Sequence, residues 1–476
     1  MLFANSIRRA TVALMARMPQ QRLQSASEKR VITSFQRAAS HIPAYQTLLN
    51  EHGVTPSQIR TAADFVAHCP ILKKDNTFAR FSLEQLCMPG TLHHLANIVT
   101  SSGQGGRFAF GLNDRRQTRR AIDLIDLGLE YAFQVSRKRT LLINCLPMGV
   151  GFLSNTVTIA ETSVREDMVV AVATQLGPAY EQIILLGDPL FLKRLTEFAE
   201  ERKVDWSPFR IHVVIGEEPF TESYRNYLAQ HFGINPDDPA HGMIGSSMGV
   251  GELGMNLCYE TRQTIALRRL AYRDPVFCRA IFGEQASADR LPVLFAYNPL
   301  RTYMETLPAA DGADYGELTV SMIEPDIPVP LMRYQPGDRA RLISTEEVAR
   351  ACDKAGHPGV GKLPLPLIAI QGRSTDQLPD STHLSQYKEA LYQNAEIAGL
   401  LTGVFRLEVT TEGVSAHVQL RRGITVTPAL NAQVEEVFSA TLNPGPRVVV
   451  WEYALFPYGM TLDYERKFLY YDPRAT

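Results

Sequence analysis

Long apolar runs are missing from this sequence, and so is an excess of charge of either sign. No run approaches the ~20 residues that a membrane-spanning helix needs, and 48 Lys plus Arg nearly balance 50 Asp plus Glu. We therefore expect no membrane association and no nucleic-acid partner. The first 27 residues lack acids and carry four arginines, as transit peptides do, but we favour an amphipathic opening helix and a cytoplasmic location.

Cysteine is scarce and scattered. The six cysteines form no CxxC motif and no Cys/His pair, which excludes a disulfide framework and a cysteine-based metal centre. We expect six reduced thiols.

The order of apolar runs predicts an α/β protein. Residues 28–90 have helical spacing, and strand-like runs then alternate with amphipathic helices. The strand-like runs are RTLLINCLP, DMVVAVAT, EQIILLG and FRIHVVIG, followed between about 290 and 345 by LPVLFAYNP, GELTVSMI, VPLMRYQPGD and RARLIS. Short apolar strands between such helices predict helix-covered sheets.

A chain of 476 residues exceeds the size of a single core, so we expect two or three domains. A Gly- and Pro-rich loop precedes IAIQGRSTDQL, and beyond it a helix, a hairpin with a TEG turn, a second helix and a strand form a compact α+β pattern. We place a boundary near Gly372.

One glycine-rich stretch, VTSSGQGGRFAFG at 99–111, has the composition of a phosphate-binding loop. It lacks the Gly-Lys-Ser/Thr of a Walker A loop and the spacing of a dinucleotide fingerprint. On its own it fits a flexible turn equally well.

Further stretches follow it in order. They are VVIGEEPFTESYRNYL, SSMGVGELG with Glu252, VPLMRYQPGDRARL with Asp338, IQGRSTDQL with Arg373, and FPYGMTLDYERKFLYY with Lys467. This order resembles the adenylate-forming superfamily of acyl-CoA synthetases, and within it the phenylacetate–CoA ligase branch. The likeness extends over nearly the whole chain. It includes the segments FQRAASHIPAYQTLLNEHGVTPSQIRTAADFVAHCPILKKDN and LLGDPLFLKRLTEFAEER.

The resemblance implies a large N-terminal domain of helix-covered sheets, residues 1–372 with a helical opening over about 1–90. It also implies a small mobile α+β domain, residues 373–476, which would rotate between two half-reactions.

The activity implied is ATP- and Mg²⁺-dependent conversion of an aromatic or medium-sized apolar carboxylic acid to acyl-AMP, followed by transfer to a thiol, with CoA as co-substrate. Two alternatives stay open. The acyl group could pass to an acyl carrier protein or an amine in a biosynthetic pathway, or the chain could be a nucleotide-binding regulatory or scaffold protein without catalysis. The acid, the acceptor and the oligomeric state are also open, a homodimer being one alternative.

The resemblance assigns the pyrophosphate loop to Ser101, Ser102, Gly103 and Gly106. The family loop carries two threonines and a lysine, where this chain has Gln104, Gly105 and Arg107. Arg107 keeps a cation whose fork suits phosphate and is assigned a catalytic role.

By the same resemblance, Glu252 in Met-Gly-Val-Gly-Glu would bind Mg²⁺. A competing register puts Met248 where that glutamate belongs, which would remove the ligand.

The remaining roles are also implied by the resemblance. Nucleotide contacts are assigned to Gly216 and Glu217 at the adenine, Tyr334 nearby and Asp338 at the ribose hydroxyls. Arg373 would contact the ribose or phosphate beside a hinge at Thr375, and Lys467 would reach the substrate carboxylate and the α-phosphate. The acyl pocket would involve Met148, Phe152 and Met248.

Overall fold

The structure is a computed structural model. It describes residues 2–88, 91–101, 108–147, 150–238, 241–308, 314–325, 327–359, 361–411, 413–459 and 464–473. The helices are α1 (Leu2–Arg17), α2 (Gln20–His41), α3 (Pro43–Glu51), α4 (Ala62–His68), α5 (Leu83–Leu86), α6 (Arg115–Phe133), α7 (Glu166–Leu176), α8 (Pro189–Glu201), α9 (Glu222–Phe232), α10 (Arg262–Arg273), α11 (Pro275–Phe282), α12 (Thr345–Ala355), α13 (Leu384–Gln393), α14 (Ala395–Leu400) and α15 (Pro428–Thr441).

The strands are β1 (Leu95–Thr100), β2 (Phe110–Asp114), β3 (Thr140–Asn144), β4 (Thr158–Glu161), β5 (Gln182–Gly187), β6 (Ile211–Ile215), β7 (Met243–Val250), β8 (Gly254–Tyr259), β9 (Val293–Tyr297), β10 (Thr302–Leu307), β11 (Gly316–Met322), β12 (Asp338–Ile343), β13 (Leu367–Arg373), β14 (Leu401–Thr410), β15 (Gly413–Leu420) and β16 (Arg447–Trp451).

Among the described residues, eleven strands form one sheet in the order β10-β11-β12-β13-β9-β8-β7-β6-β5-β3-β4. The strands from β4 to β7 are parallel, and those from β7 to β10 are antiparallel. Strand β7 therefore joins the two halves. The parallel half has fully buried strands such as β3 and β5, as expected for a sheet covered on both faces.

The opening helices and the antiparallel half share one core. Phe35 of α2 is fully buried and packs edge-to-face on Phe65 of α4, with ring centroids 5.6 Å apart. Both belong to a cluster that includes Phe295 and Val320 of the sheet. The predicted helical opening is confirmed.

After β13, the C-terminal region forms a three-stranded sheet, β14-β15-β16, with α13 and α15 packed on it. Its core is continuous with that of the parallel half of the large sheet, because Tyr387 and Phe405 share a buried cluster with Phe191 and Tyr224. The α/β architecture with a smaller C-terminal α+β unit agrees with the sequence prediction.

The prediction of a strand at DMVVAVAT was wrong, because this segment lies in α7. Glu166 and Asp167 occupy the first turn, where negative charges stabilise a helix. The buried residues Val169 and Ala173 lie one helical turn apart, on the same face. A short apolar run reads the same in a buried strand and a buried helix.

The stretch VPLMRYQPGD was also expected to be a strand, but before Asp338, which begins β12, its bridges are isolated ones from Tyr334 to Leu72 and to Val320. Its prolines explain the difference, because proline has no N–H to donate to a ladder.

None of the helices in the described ranges has the length and apolar character needed to cross a bilayer.

Candidate active site

The Pro-Gly turn before β12 brings Asp338 to the start of the strand, as predicted. Asp338 is the first residue of β12 and pairs with Arg373, the last residue of β13. Burial raises the pKa of Asp338 to about 6, while the positive charges of Arg373 and Lys467 act in the opposite direction. Two cationic side chains therefore lie close enough to act on the carboxylate that the resemblance assigns to the ribose.

The predicted hinge follows directly. Asp376 accepts a hydrogen bond from the backbone N–H of Arg373 through Oδ2 at 2.8 Å. Residues Ser374–Asp376, with Thr375 between them, form a single 3-10 turn between the two sheets.

Residues 216–219, here called the 216–219 turn, connect β6 to α9. The Gly216 N–H donates to the carbonyl of Gly187 at 3.0 Å, and the Glu218 N–H donates to the carbonyl of Gly216 at 2.8 Å. Glu217 has φ 69°, a left-handed conformation that is uncommon outside glycine. The turn thus lies at the carboxyl end of the parallel strands, where ligands of open α/β sheets bind.

Lys467 contacts this turn from the C-terminal region. Its Nζ donates to the carbonyl of Glu217 at 2.8 Å and lies 3.0 Å from Glu217 Oε2. Lys467, the 216–219 turn, Asp338 and Arg373 are therefore neighbours, although they come from four separate parts of the sequence.

Glu252 lies in the turn between β7 and β8, and its side chain is almost fully buried. Its Oε1 accepts a hydrogen bond from the Tyr334 hydroxyl at 2.6 Å and lies 3.7 Å from Lys74 Nζ. Oε2 is buried without a hydrogen-bond partner. The described ranges contain no group of three or more Asp, Glu, His or Cys able to hold a metal. One carboxylate with an open oxygen nevertheless fits Mg²⁺, which takes few protein ligands and completes its shell with phosphate oxygens and water.

Tyr334 is fully buried, and both its burial and the neighbouring carboxylate raise its pKa. The contact shown for its hydroxyl is with Glu252, so it orients that carboxylate. A direct contact with the nucleotide stays a prediction.

The glycine-rich loop begins beside Glu252. The Ser101 N–H donates to the Ala109 carbonyl, and the Ala109 N–H donates to Ser101 Oγ, both at 2.9 Å, which closes the neck of the loop. A Cβ on Gly251 would lie 3.0 Å from the Ser101 nitrogen, so the two backbones touch. The predicted phosphate-binding residues Ser102, Gly103, Gly106 and Arg107 lie outside the described residues.

Of the predicted acyl-pocket residues, Met148 lies outside the described residues. Phe152 is half-buried against the core beside β3 and β5, and its N–H donates to Glu161 Oε1 at 3.1 Å. Met248 lies in β7 opposite Cys258 and packs against the antiparallel core. The pocket assignment stays a prediction.

Sequence reasoning missed three charged side chains. Lys388 of α13 lies 2.8 Å from Glu218, and Lys74 accompanies Glu252. Buried Asp126 of α6 accepts hydrogen bonds from Ser154 Oγ at 2.5 Å and Thr156 Oγ1 at 2.9 Å, which anchors the loop after Phe152. Only tertiary proximity connects these residues, so no local pattern could have indicated them.

Solved structures with a similar fold include a CoA ligase caught in several states of its reaction. The chain is similar to 2-hydroxyisobutyryl-CoA ligase in the postadenylation state with 2-HIB-AMP, with a TM-score of 0.69, 15% identity, and coverage of 96% of this chain and 90% of that one. For the same ligase with R3-HIB-AMP, the TM-score is 0.67 and the identity is 16%, with the same coverage of both chains. For that ligase in the thioesterification state with 2-HIB-AMP and CoA, the TM-score is 0.54 and the identity is 16%, and the match covers 91% of this chain and 87% of that one.

No protein-family model and no curated protein sequence matches the chain. The likeness therefore rests on structure, and it agrees with the order of motifs along the sequence. The chain therefore has the fold of the adenylate-forming ligases.

Proposed function

We propose that this protein activates a carboxylic acid with ATP, releasing pyrophosphate and forming an acyl adenylate, and then transfers the acyl group to the thiol of CoA. The contact of Lys467 with the 216–219 turn, beside Asp338 and Arg373, is the observation that carries the proposal. A cation from a second structural unit meets the residues assigned to the nucleotide.

In the first step a carboxylate oxygen attacks the α-phosphorus of ATP, and the bond to pyrophosphate breaks. Two anions must approach each other, so catalysis consists mainly of positioning and charge stabilisation. Lys467 would hold the carboxylate and the α-phosphate together as a compact point charge. Arg373 would contact the ribose or phosphate, and Asp338 would accept hydrogen bonds from the ribose hydroxyls.

Mg²⁺ would neutralise the developing charge on the pyrophosphate leaving group. Glu252 would hold the ion through the oxygen that has no hydrogen-bond partner, while Tyr334 fixes the other oxygen. Because the Ser101 backbone touches the turn that carries Glu252, phosphate bound at Ser101 would lie beside the ion.

In the second step a thiol sulfur attacks the acyl carbonyl and AMP leaves. For this step the C-terminal region would rotate at the hinge near residues 374–376, so that Lys467 leaves the site. The higher TM-scores with the ligase in its postadenylation state, 0.67 and 0.69 against 0.54 in its thioesterification state, support an adenylation-type arrangement here.

ATP–pyrophosphate exchange with a panel of carboxylic acids tests the proposal. Small hydroxy acids, aromatic acids and medium-chain acids are assayed separately with MgATP, and a reaction without acid is the blank. Exchange above the blank with at least one acid is expected. Tight ATP binding in calorimetry without any exchange would contradict catalysis and favour a nucleotide-binding regulatory role.

The acceptor is decided next. With an acid that supports exchange, addition of CoA is expected to give acyl-CoA, identified by its mass. Formation of acyl-AMP without acyl-CoA would instead point to a carrier protein or an amine as the acceptor.

A further inference from the structure

Two neighbouring glutamates in the 216–219 turn each pair with a lysine of the C-terminal region. Glu217 contacts Lys467 at 3.0 Å, and Glu218 contacts Lys388 at 2.8 Å. Lys388 also lies over the ring of Tyr470, 4.3 Å from its centroid, and Tyr470 is three residues after Lys467. Both ion pairs therefore connect the 216–219 turn to residues 467–470, the first directly and the second through Lys388.

Glu217 binds the ammonium group of Lys467 twice, through its own carbonyl and through its carboxylate. The backbone of Glu217 has φ 69°, a left-handed conformation that is strained for glutamate but that glycine adopts without strain. Strain of this kind persists where a side chain has a task that offsets it. A glycine here would keep the carbonyl contact and lose the carboxylate.

We infer that Glu217 is a positioning residue for Lys467, and that the pairs Glu217–Lys467 and Glu218–Lys388 form a two-point clasp that holds the C-terminal region against the 216–219 turn. The inference rests on the proposed function for the role of Lys467 in catalysis. The clasp aligns Lys467 for adenylation and has to open before the second half-reaction.

The first test measures the clasp without catalysis. The full-length, ligand-free protein is acetylated with an amine-reactive ester, and the rate at each lysine is measured by peptide mass spectrometry. Exposed Lys354 of α12 is the internal reference. Glu217→Gly is expected to raise the rate at Lys467 by about two- to fivefold, the range for losing a partly exposed ion pair.

Glu218→Gln tests whether the two pairs act together. It is expected to raise labelling at Lys388 and also, by about twofold or more, at Lys467. Unchanged labelling of Lys467 in Glu217→Gly would overturn the positioning role, and unchanged Lys467 in Glu218→Gln would overturn the two-point clasp.

A matched control separates the carboxylate from the backbone. Lys203 follows α8, is exposed, and has φ 53°, so Lys203→Gly relieves the same kind of conformation away from the site. It should leave labelling of Lys467 and pyrophosphate exchange at the wild-type level.

Kinetics then distinguish positioning from a structural role. Glu217→Gly should lower kcat of pyrophosphate exchange by about ten- to a hundredfold, as misplacement of a catalytic group does. Acyl transfer from supplied acyl-AMP should fall by a clearly smaller factor than exchange, and Glu217→Gln, which keeps a hydrogen-bond acceptor, should recover part of the loss. Equal loss in both half-reactions, or faster exchange in Glu217→Gly, would contradict the inference.

Failure of this inference and failure of the proposed function give different results. If no acid supports exchange, the proposed function fails, while the labelling experiment still decides whether the clasp exists. If exchange occurs and labelling does not change, only the clasp is wrong.

Discussion

At the scale of single residues, the proposed chemistry depends on one lysine, Lys467, which reaches the 216–219 turn from the C-terminal region. Lys467 is the only side chain assigned to the reacting carboxylate and α-phosphate, and nothing nearby in sequence predicts its contact with Glu217. Its replacement is therefore the most selective change available.

Lys467→Ala is expected to slow adenylate formation by about a hundredfold or more, the usual effect of removing a group that stabilises charge in the transition state. Thioester formation from supplied acyl-AMP should be spared, because the proposed mechanism removes the lysine from the site for that step. Pyrophosphate exchange and single-turnover acyl transfer measure the two halves. Lys354→Ala is the control, and equal loss in both halves would contradict the assignment.

Asp338 makes stability depend on pH. Burial raises its pKa to about 6, above the ordinary value of 3.8, so the folded protein holds this proton more tightly and loses stability as the pH rises through that interval. Asparagine does not titrate, so Asp338→Asn removes this pH-dependent loss of stability. The unfolding free energy of the variant relative to wild type should increase by about 1–2 kcal/mol between pH 4 and pH 8, since partial exposure reduces the full effect of a shift of this size. Urea titrations at both pH values measure it, and a difference that does not change with pH would be evidence against a buried carboxylate.

The sequence was sufficient to predict some of these residues and not others. Asp338 follows a turn and Glu252 lies within one, and glycine and proline mark both turns clearly, so these positions could be predicted. Lys74 and Lys388 sit in ordinary helical or turn sequence, and their partners are distant along the chain. Their roles depend on packing that no local pattern encodes.

At the scale of elements, the β1–β2 hairpin and the β7–β8 turn are held in direct backbone contact. A Cβ added to Gly111 would lie 2.2 Å from the carbonyl oxygen of Gly251, closer than any side chain tolerates. The glycines therefore set the distance between the β1–β2 pair and the turn that carries Glu252.

Gly111→Ala is expected to push the hairpin away from the Glu252 turn. It should cost about 1–3 kcal/mol of stability, the usual penalty for overpacking, and should weaken MgATP binding by about tenfold or more. Denaturant titration and calorimetry measure the two effects. Gly399→Ala in α14, where a Cβ meets no atom within 4 Å, is the control and should be neutral or slightly stabilising. Wild-type MgATP affinity in Gly111→Ala would show that the two elements act independently.

Element types were predictable where periodicity was unambiguous. The C-terminal hairpin alternates apolar and polar residues around TEG, and it forms β14 and β15 as predicted. The errors at α7 and at VPLMRYQPGD arose where short apolar runs carry no period, so flanking charges and prolines decided the outcome.

At the scale of the whole molecule, the C-terminal region shares a core with the parallel half of the large sheet. Tyr392 of α13 packs against Tyr224 and Tyr227 of α9, with ring centroids 4.7 Å and 5.4 Å apart. Beside them, Ser223 Oγ donates to Glu389 Oε2 at 2.9 Å. Rotation at the hinge would have to separate these rings.

We expect the ligand-free protein to melt in one calorimetric transition, because the shared core couples the two units. Tyr392→Ala should remove about 3–5 kcal/mol of packing and divide the melt into two transitions. Phe438→Ala is the comparison, since Phe438 is fully buried and packs on Tyr387 within the C-terminal region. It should lower the midpoint without dividing the transition. Two transitions in the wild type would contradict the coupling.

The two ion pairs at the 216–219 turn should also make the rate of adenylation depend on ionic strength. Lys467 and Glu217 retain 23% and 28% of their side-chain exposure, so dissolved salt reaches them. The Debye length falls from about 10 Å at 0.1 M to about 3 Å at 1 M. Added potassium chloride should therefore slow pyrophosphate exchange and leave acyl transfer from acyl-AMP unchanged or faster. The ratio of the two rates, measured along a salt series, would then report how firmly the two halves of the molecule are joined.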